Sequence, residues 1–299
     1  MKTLIVIAGP TASGKTQLAI DIALELNTEI ISCDSRQFFK EMNIGTAKPN
    51  AEQLKQVPHH FIGHKSITDE YNAGVFETEA LELLDQLFVH YDYLIMVGGS
   101  GMYIDAVITG FDQLPQVEEK VKEKLNQIYQ EEGLEVLQIM LSKLDREHYN
   151  NVDLNNPHRV IRALEVTISS GIPYSELRKG QTKPRTFSTL MFGLDLDREL
   201  LYERINHRVD EMMQQGLLEE VRGLLPYSHL NALQTVGYKE LFQFLKGSID
   251  LYTAVNLMKQ NTRRFAKRQM TWFRKYDQMH WLKPELAFQE IINKVKTGN

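Results

Sequence analysis

Gly9-Pro10-Thr11-Ala12-Ser13-Gly14-Lys15-Thr16 sets two glycines, a lysine and a threonine at the spacing G-x-x-x-x-G-K-[ST]. Glycines let backbone N–H groups turn toward an anion, and a helix starting just beyond adds its positive dipole end. Lys15 brings a point charge to phosphate oxygens, and the Thr16 hydroxyl can ligate Mg²⁺. The elements around the motif suit it. Thr3–Ala8 is a continuous apolar, β-branched run too short for a helix, so it reads as a strand buried on both faces. From Thr16 to Leu26, Leu18, Ala19, Ile22, Ala23 and Leu26 recur at helical spacing. Strand, glycine-rich turn and helix in that order imply a site for a di- or triphosphate.

The next question is which chemistry uses it. Nucleotide-hydrolysing proteins of this kind place an acid at the end of a hydrophobic strand to hold Mg²⁺. Here the strand-like Tyr93–Val97 runs into Gly98-Gly99-Ser100-Gly101 with no carboxylate, which argues against routine hydrolysis. The nearest acid is Asp34, after the strand-like Glu29–Cys33. In a doubly wound sheet the C-terminal strand ends share one crevice, so Asp34, the glycine-rich turn and Ser100 should converge there. A carboxylate at that point can hold Mg²⁺ or accept a proton from a nucleophile; its other reading is a cap on the following turn.

The elements imply an α/β fold: a parallel-sheet core of the P-loop type, interrupted by a mostly helical insertion. Phe76–Leu87 reads as a helix and Thr189–Leu194 as a returning strand, with helices from Arg198 onward. Gln116–Leu144 and Asn150–Ser170 are helical, with a loose polar stretch from Lys179 to Arg185. The expected division is a core of residues 1–112 and 187–299 and an insertion of residues 113–186.

The chain has 299 residues, a formal net charge of -5, and 42% hydrophobic and 24% charged residues, which suits an ordered globular protein. One cysteine, Cys33, cannot build a disulfide framework or a cysteine-based zinc site. No apolar run approaches the roughly 20 residues a membrane helix needs. Met1-Lys2-Thr3 leads straight into a strand without the form of a signal peptide. The expectation is a cytoplasmic monomer.

Charge is unevenly distributed. Lys259–Tyr276 holds seven lysines and arginines and no acid, and Arg263/Lys267 and Arg264/Arg268 are like-charge i, i+4 pairs that repel unless an anion compensates. Phe265, Trp272 and Phe273 interleave stacking surface. Arg159 and Arg162, with Lys179, Lys183 and Arg185, form a second group. Two such clusters in an acidic chain favour a polyanion partner over a merely solvated face. His59, His60 and His64 suggest a metal site by type, but read better as satisfied polar histidines.

The ordered blocks Gly9–Thr16, Asp34–Gln37, Ile44–Pro49, Val97–Tyr103, Asn156–Glu165, Gly237–Glu240 and Arg268–Phe273 resemble the tRNA dimethylallyltransferases. The first block is shared with many phosphate-binding proteins; the later ones together are specific. The resemblance implies transfer of a dimethylallyl group from its diphosphate to the exocyclic N6 amine of the adenine 3′ of the anticodon, with Mg²⁺ as cofactor. Gly9, Pro10, Thr11, Ala12, Ser13, Gly14, Lys15 and Thr16 would hold the diphosphate, with Thr16 on the metal. Asp34 would be the catalytic base, Lys15 would stabilise the leaving group, and Ser100 stands where the family commonly has threonine beside the reacting adenine. Asp34, Ser35, Arg36, Gln37, Ser100, Lys122, His158, Arg159, Val160, Ile161 and Arg162 would contact the anticodon stem-loop. The competing readings are a nucleoside or small-molecule kinase on the same fold and a non-catalytic RNA-binding module; the first leaves the basic C-terminal run without a use, the second the phosphate motif.

Overall fold

A computed structural model describes residues 2–112, 114–180 and 182–297. The expected boundary residue Gln113 lies outside them, as do Met1, Gln181, Gly298 and Asn299. The chain divides into two compact units, Met1–Ile108 with Arg185–Asn299, and Thr109–Pro184.

The first unit is built on one six-stranded sheet. Its strands are β1 (Thr3–Ala8), β2 (Ile30–Ser32), β3 (His59–His60), β4 (Tyr93–Gly98), β5 (Ser188–Leu194) and β6 (Met279–Leu282), in the order β3-β2-β4-β1-β5-β6. All pairs are parallel. Central β1 is buried along its whole length, which is why its sequence is unbroken apolar rather than alternating. The edge strands β3 and β6 are absent from the sequence expectation. Two histidines and Met-His-Trp-Leu are too short and too polar to stand out from the neighbouring helical sequence, and only sheet pairing defines them.

Helices α1 (Lys15–Leu26), α2 (Ala51–Gln56), α3 (Ala73–Leu87) and α4 (Gly101–Ile108) belong to the first half of this unit. One core cluster joins α1 and residues 287–295 to the sheet through Ile5, Ile20, Ile95 and Phe192. A second, around Tyr238, Leu241, Met258, Phe39 and Met42, gathers the later helices.

In the second unit, α5 (Glu119–Glu132) and α6 (Leu134–Leu144) replace the one helical stretch expected over this segment, because Gly133 (φ 86°) breaks it. After α7 (Arg146–Asn151), α8 (Pro157–Ser170) starts where the Asn156 side chain accepts from Arg159 N–H and Pro157 occupies the first turn. A short α9 (Tyr174–Leu177) follows. Leu125, Leu137, Leu141, Val160 and Leu164 form this unit's own core.

The remaining helices of the first unit are α10 (Arg198–Gln214), α11 (Leu217–Gly223), α12 (Tyr238–Leu245), α13 (Leu251–Phe273) and α14 (Pro284–Thr297). No described helix is long and apolar enough to cross a membrane.

The ends of β2 and β4 meet at Gly98. A Cβ there would stand 2.8 Å from the Cys33 carbonyl carbon, a backbone atom that cannot swing away. Gly98→Ala is therefore expected to cost about 1–3 kcal/mol, since overpacking at a strand junction must move backbone. A urea-denaturation midpoint unchanged from wild type would show that the strand ends separate freely.

Candidate active site

The turn after β1 carries Gly9 (φ 150°), Ala12 (φ 63°) and Gly14 (φ 93°) in positive-φ conformations and delivers the chain into α1. First-turn N–H groups have no partner inside a helix, so this end of α1 offers donors to an anion. Lys15 Nζ folds back onto the Pro10 carbonyl at 2.5 Å and Ser13 Oγ at 3.3 Å. Thr11 N–H is already used: it donates to Gln269 Oε1 at 2.9 Å, while Gln269 Nε2 donates to the Gly99 carbonyl at 2.8 Å. One buried amide on α13 thus ties the phosphate turn to the end of β4.

Two adjoining chambers open here. The first, about 290 Å³, is lined by Thr11–Gln17 with Ser32, Asp34, Gln37 and Arg208. The second, about 420 Å³, is lined by Asp34, Ser35, Arg36, Ser100, Arg208 and Arg268 among others. Five residues line both: Thr11, Asp34, Thr46, Arg208 and Phe265. A larger opening of about 1130 Å³ beside the turn also includes Thr16 and Arg208.

The structure brings together Gly14, Lys15, Thr16, Asp34, Ser35, Arg36, Gln37 and Ser100, as the parallel topology requires. Asp34 Oδ1 accepts from Arg36 N–H at 2.9 Å, fixing the carboxylate beside the end of β2. Ser100 Oγ accepts from Ser35 N–H and bonds the Ser35 hydroxyl, both at 3.1 Å. Arg36 Nη1 donates to the Asn231 and Ala232 carbonyls at 3.1 and 3.0 Å, which holds the guanidinium at the chamber wall.

Arg208, on α10, is the functional candidate missing from the sequence reading. Burial, and secondly the Arg208 guanidinium, lower Lys15 to about 8, against the pull of Asp34. Burial also lowers Arg208, opposed by Asp34 and Glu211. Two cations therefore face one carboxylate. The Cys33 thiol beside them is pushed up by burial and then by Asp34, so it stays protonated.

Thr16 and Asp34 are among the residues that offer oxygen donors to the phosphate chamber, Asp34 being the one carboxylate in its described lining. Hard oxygen donors of this kind suit Mg²⁺ shared with a bound phosphate. Among the described residues no group of three or more His, Cys, Asp or Glu could hold a metal by itself. His60 Nε2 pairs with Glu29 at 2.6 Å. His59 Nδ1 bonds the Val57 carbonyl at 2.8 Å, leaving its Nε2 without a hydrogen bond in a ring that lines the phosphate chamber. The reading of satisfied histidines holds least for His64, whose nitrogens are buried without a hydrogen bond, Nε2 lying 3.8 Å from Glu79.

In the second unit, His158, Arg159 and Arg162 are exposed on α8, and Arg162 pairs with Glu165 at 3.3 Å. Lys122 pairs with Glu119 at 2.9 Å. Val160, expected among the RNA-contacting residues, has its side chain fully buried in that unit's core. The basic run on α13 is also less free than its sequence implies. Lys259 pairs with Asp210 and Lys275 with Asp105, each at 2.6 Å, through acids distant in sequence. Arg264, Lys267, Arg268 and Arg274 remain exposed.

Comparison with known proteins is decisive. The IPP transferase family model matches residues 37–276. A tRNA dimethylallyltransferase of Christiangramia forsetii is 51% identical over 294 residues, covering 98% of this chain and 97% of the relative. The chain belongs to the tRNA dimethylallyltransferase family. A further member, tRNA dimethylallyltransferase 1 of Bacteroides thetaiotaomicron, is 48% identical over 299 residues, covering 100% and 97%. Among solved structures, the tRNA isopentenylpyrophosphate transferase of Bacillus halodurans superposes with a TM-score of 0.74 at 34% identity, covering 99% of this chain and 96% of that one. A eukaryotic dimethylallyltransferase described as acting on tRNA gives 0.77 at 30%, covering 97% and 72%. Relatives and structures alike extend over nearly the whole of this family member, so the α/β core and its insertion are both family features.

The Lys15–Arg208 repulsion has a measurable consequence. Above pH 8 Lys15 of the free protein is neutral, so affinity for inorganic pyrophosphate is expected to fall, by at most about tenfold per pH unit for a single proton. Arg208→Gln removes the repulsion and should move that break upward. Calorimetric titrations from pH 7 to 9.5 that show the same break in both proteins would contradict the assignment.

Proposed function

We propose that this chain transfers a dimethylallyl group from dimethylallyl diphosphate to the N6 amine of the adenine immediately 3′ of the anticodon in tRNA. The observation that carries the reading is the sharing of Asp34 and Arg208 by an anion-binding chamber and a second chamber beside Ser35 and Ser100. A carboxylate between two binding sites suits a proton acceptor for a group moving from one substrate to the other.

In this scheme the diphosphate lies along Gly9–Thr16 with Lys15 and Arg208 on its oxygens. The allylic C–O bond breaks with its electron pair leaving on the diphosphate, and the N6 lone pair forms the new C–N bond. Positioned cations favour that step because the charge they face grows on the leaving group. Asp34 Oδ2 then takes the proton, Oδ1 being held by Arg36 N–H. Nitrogen loses its proton readily once the C–N bond has begun to form, so a carboxylate of ordinary basicity suffices. Mg²⁺ held by Thr16 and the diphosphate would supply further charge for the leaving group.

The adenine must leave the anticodon-loop stack to reach Ser100 and Asp34. Arg264, Lys267 and Arg268 on α13 and Arg274 just beyond its end offer positions for backbone phosphates, as do His158, Arg159 and Arg162 on α8. A cytoplasmic monomer suits a tRNA-modifying enzyme. The kinase alternative is not favoured: β4 ends in Gly98-Gly99-Ser100 without an acid for nucleotide-bound metal, and the relatives are transferases.

The test is incubation with radiolabelled dimethylallyl diphosphate and unmodified tRNA, with ATP present or omitted. Label is expected in the RNA without ATP, whereas ATP-dependent phosphorylation of a small molecule would refute the reading. Asp34→Ala is expected to lower transfer by at least about a hundredfold, the usual scale for a positioned acid–base group, with tRNA affinity kept within about threefold. Near-normal turnover by that variant would remove Asp34 from the role of base.

A further inference from the structure

Two blocks of the chain that carry the family resemblance, Ile44–Pro49 and Gly237–Glu240, receive no chemical role from the site as described. In the structure they meet at one side chain, Glu220 of α11. Its Oε2 accepts from Asn43 N–H at 3.0 Å and Ile44 N–H at 2.8 Å. Its Oε1 accepts from Gly45 N–H at 3.1 Å and from the Tyr238 hydroxyl at 2.6 Å. Burial, and then Glu220, push the Tyr238 phenol far up, so it keeps its proton and donates. Three successive backbone N–H groups and one phenol thus converge on a single carboxylate, an arrangement of charge-assisted bonds that fixes a backbone closely.

The held segment is a turn, closed by Ala47 N–H donating to the Ile44 carbonyl at 2.9 Å. It presses on the fully buried Tyr238 ring so closely that a Cβ at Gly45 would stand 2.6 Å from Cε2. The far side of the turn meets the site. The Thr46 and Ala47 carbonyls each accept from Gln37 Nε2 at 3.1 Å, and Gln37 N–H donates to the Asp34 carbonyl at 3.2 Å. Thr46 itself lines both chambers, and Gly45 lines the second.

We infer that Glu220 is a positioning residue for the transfer reaction, its carboxylate fixing the Asn43–Ala47 turn that places Thr46 in the wall shared by both chambers and braces Gln37 beside Asp34. The inference rests on the transferase reading for its kinetic consequence. Glu220 touches no reacting atom, so its loss leaves the groups that bind diphosphate and RNA in place. What it disturbs is their alignment. Displacement of reacting groups by about 1 Å costs on the order of a hundredfold in rate.

The experiment compares Glu220→Gln, Gly45→Ala and Tyr238→Phe in the full chain. Steady-state transfer is measured with dimethylallyl diphosphate and tRNA, rates being referred to folded protein, and amide exchange is followed in the peptide spanning residues 43–47. Glu220→Gln is expected to lower kcat by about tenfold or more while both KM values stay within about threefold, the signature of an interaction that matters only in the transition state. Its 43–47 amides should exchange at least about tenfold faster, as locally opened backbone does. Gly45→Ala, which pushes the turn off the Tyr238 ring, should show the same split. Tyr238→Phe keeps the three backbone bonds and should retain kcat within about threefold. An unchanged kcat in Glu220→Gln, a loss confined to KM, or unaltered exchange would overturn the inference. Absence of transfer by the wild type would instead overturn the transferase reading; the exchange data would then decide the clamp by themselves.

Discussion

Lys15 and Arg208 are two half-buried cations on one chamber with Asp34 as their shared counter-charge, and the strand ends and loops around them are arranged about that imbalance. Burial first, and then the Arg208 guanidinium, disfavour the protonated amine, which is why Lys15 falls to about 8. A solvent-facing pair would gain nothing from such proximity. In a chamber of about 290 Å³ whose floor is a helix N-terminus, the remaining positive potential is a standing preference for a polyvalent anion. The same imbalance orients the chemistry. In the proposed transfer, an anion covering the two cations would leave Asp34, which lines both chambers, facing the second one.

Parallel strands are the means of holding this arrangement. β1 delivers the phosphate turn, β2 delivers Asp34 and β4 delivers Ser100, all at one edge, because parallel pairing aligns the C-terminal strand ends. Such ends are loops and would drift without bracing. Gln269 ties Thr11 to Gly99 from α13, Arg36 is anchored to the Asn231 and Ala232 carbonyls, and Glu220 holds the turn opposite. The helical C-terminal third of the chain thus serves the site as a frame for loops that the sheet only begins to place. Close contacts without a Cβ, at Gly98 and Gly45, let these pieces approach.

The phosphate motif, the flanking strand and helix, Asp34 and Ser100 were legible in the sequence because each rests on local signals: a fixed spacing, an apolar run, a strand end. Arg208 was not, since an arginine within a charged helix has no local mark; only the packing of α10 brings it to Lys15. Gln269 stood within a recognised block, yet its role as a bridge depends on two carbonyl and amide partners over 150 residues away. The acid-free basic run misled for the same reason. Asp210 and Asp105 neutralise two of its lysines from other helices. The helical reading of the insertion survived with its helices divided, because Gly133 and Asn156-Pro157 act locally, whereas Val160 shows that a residue inside a functional-looking block can be there for packing.

The proposed transfer requires Lys15 and Arg208 to hold the diphosphate with Asp34 left open to the second chamber. Crystallographic location of inorganic pyrophosphate in this protein tests it most directly. The anion is expected along Gly9–Thr16, within hydrogen-bond distance of Lys15 and Arg208 and clear of the free Asp34 oxygen. An ordered pyrophosphate bound only on the exposed basic face of α13, with Lys15 still folded onto the Pro10 carbonyl, would contradict it.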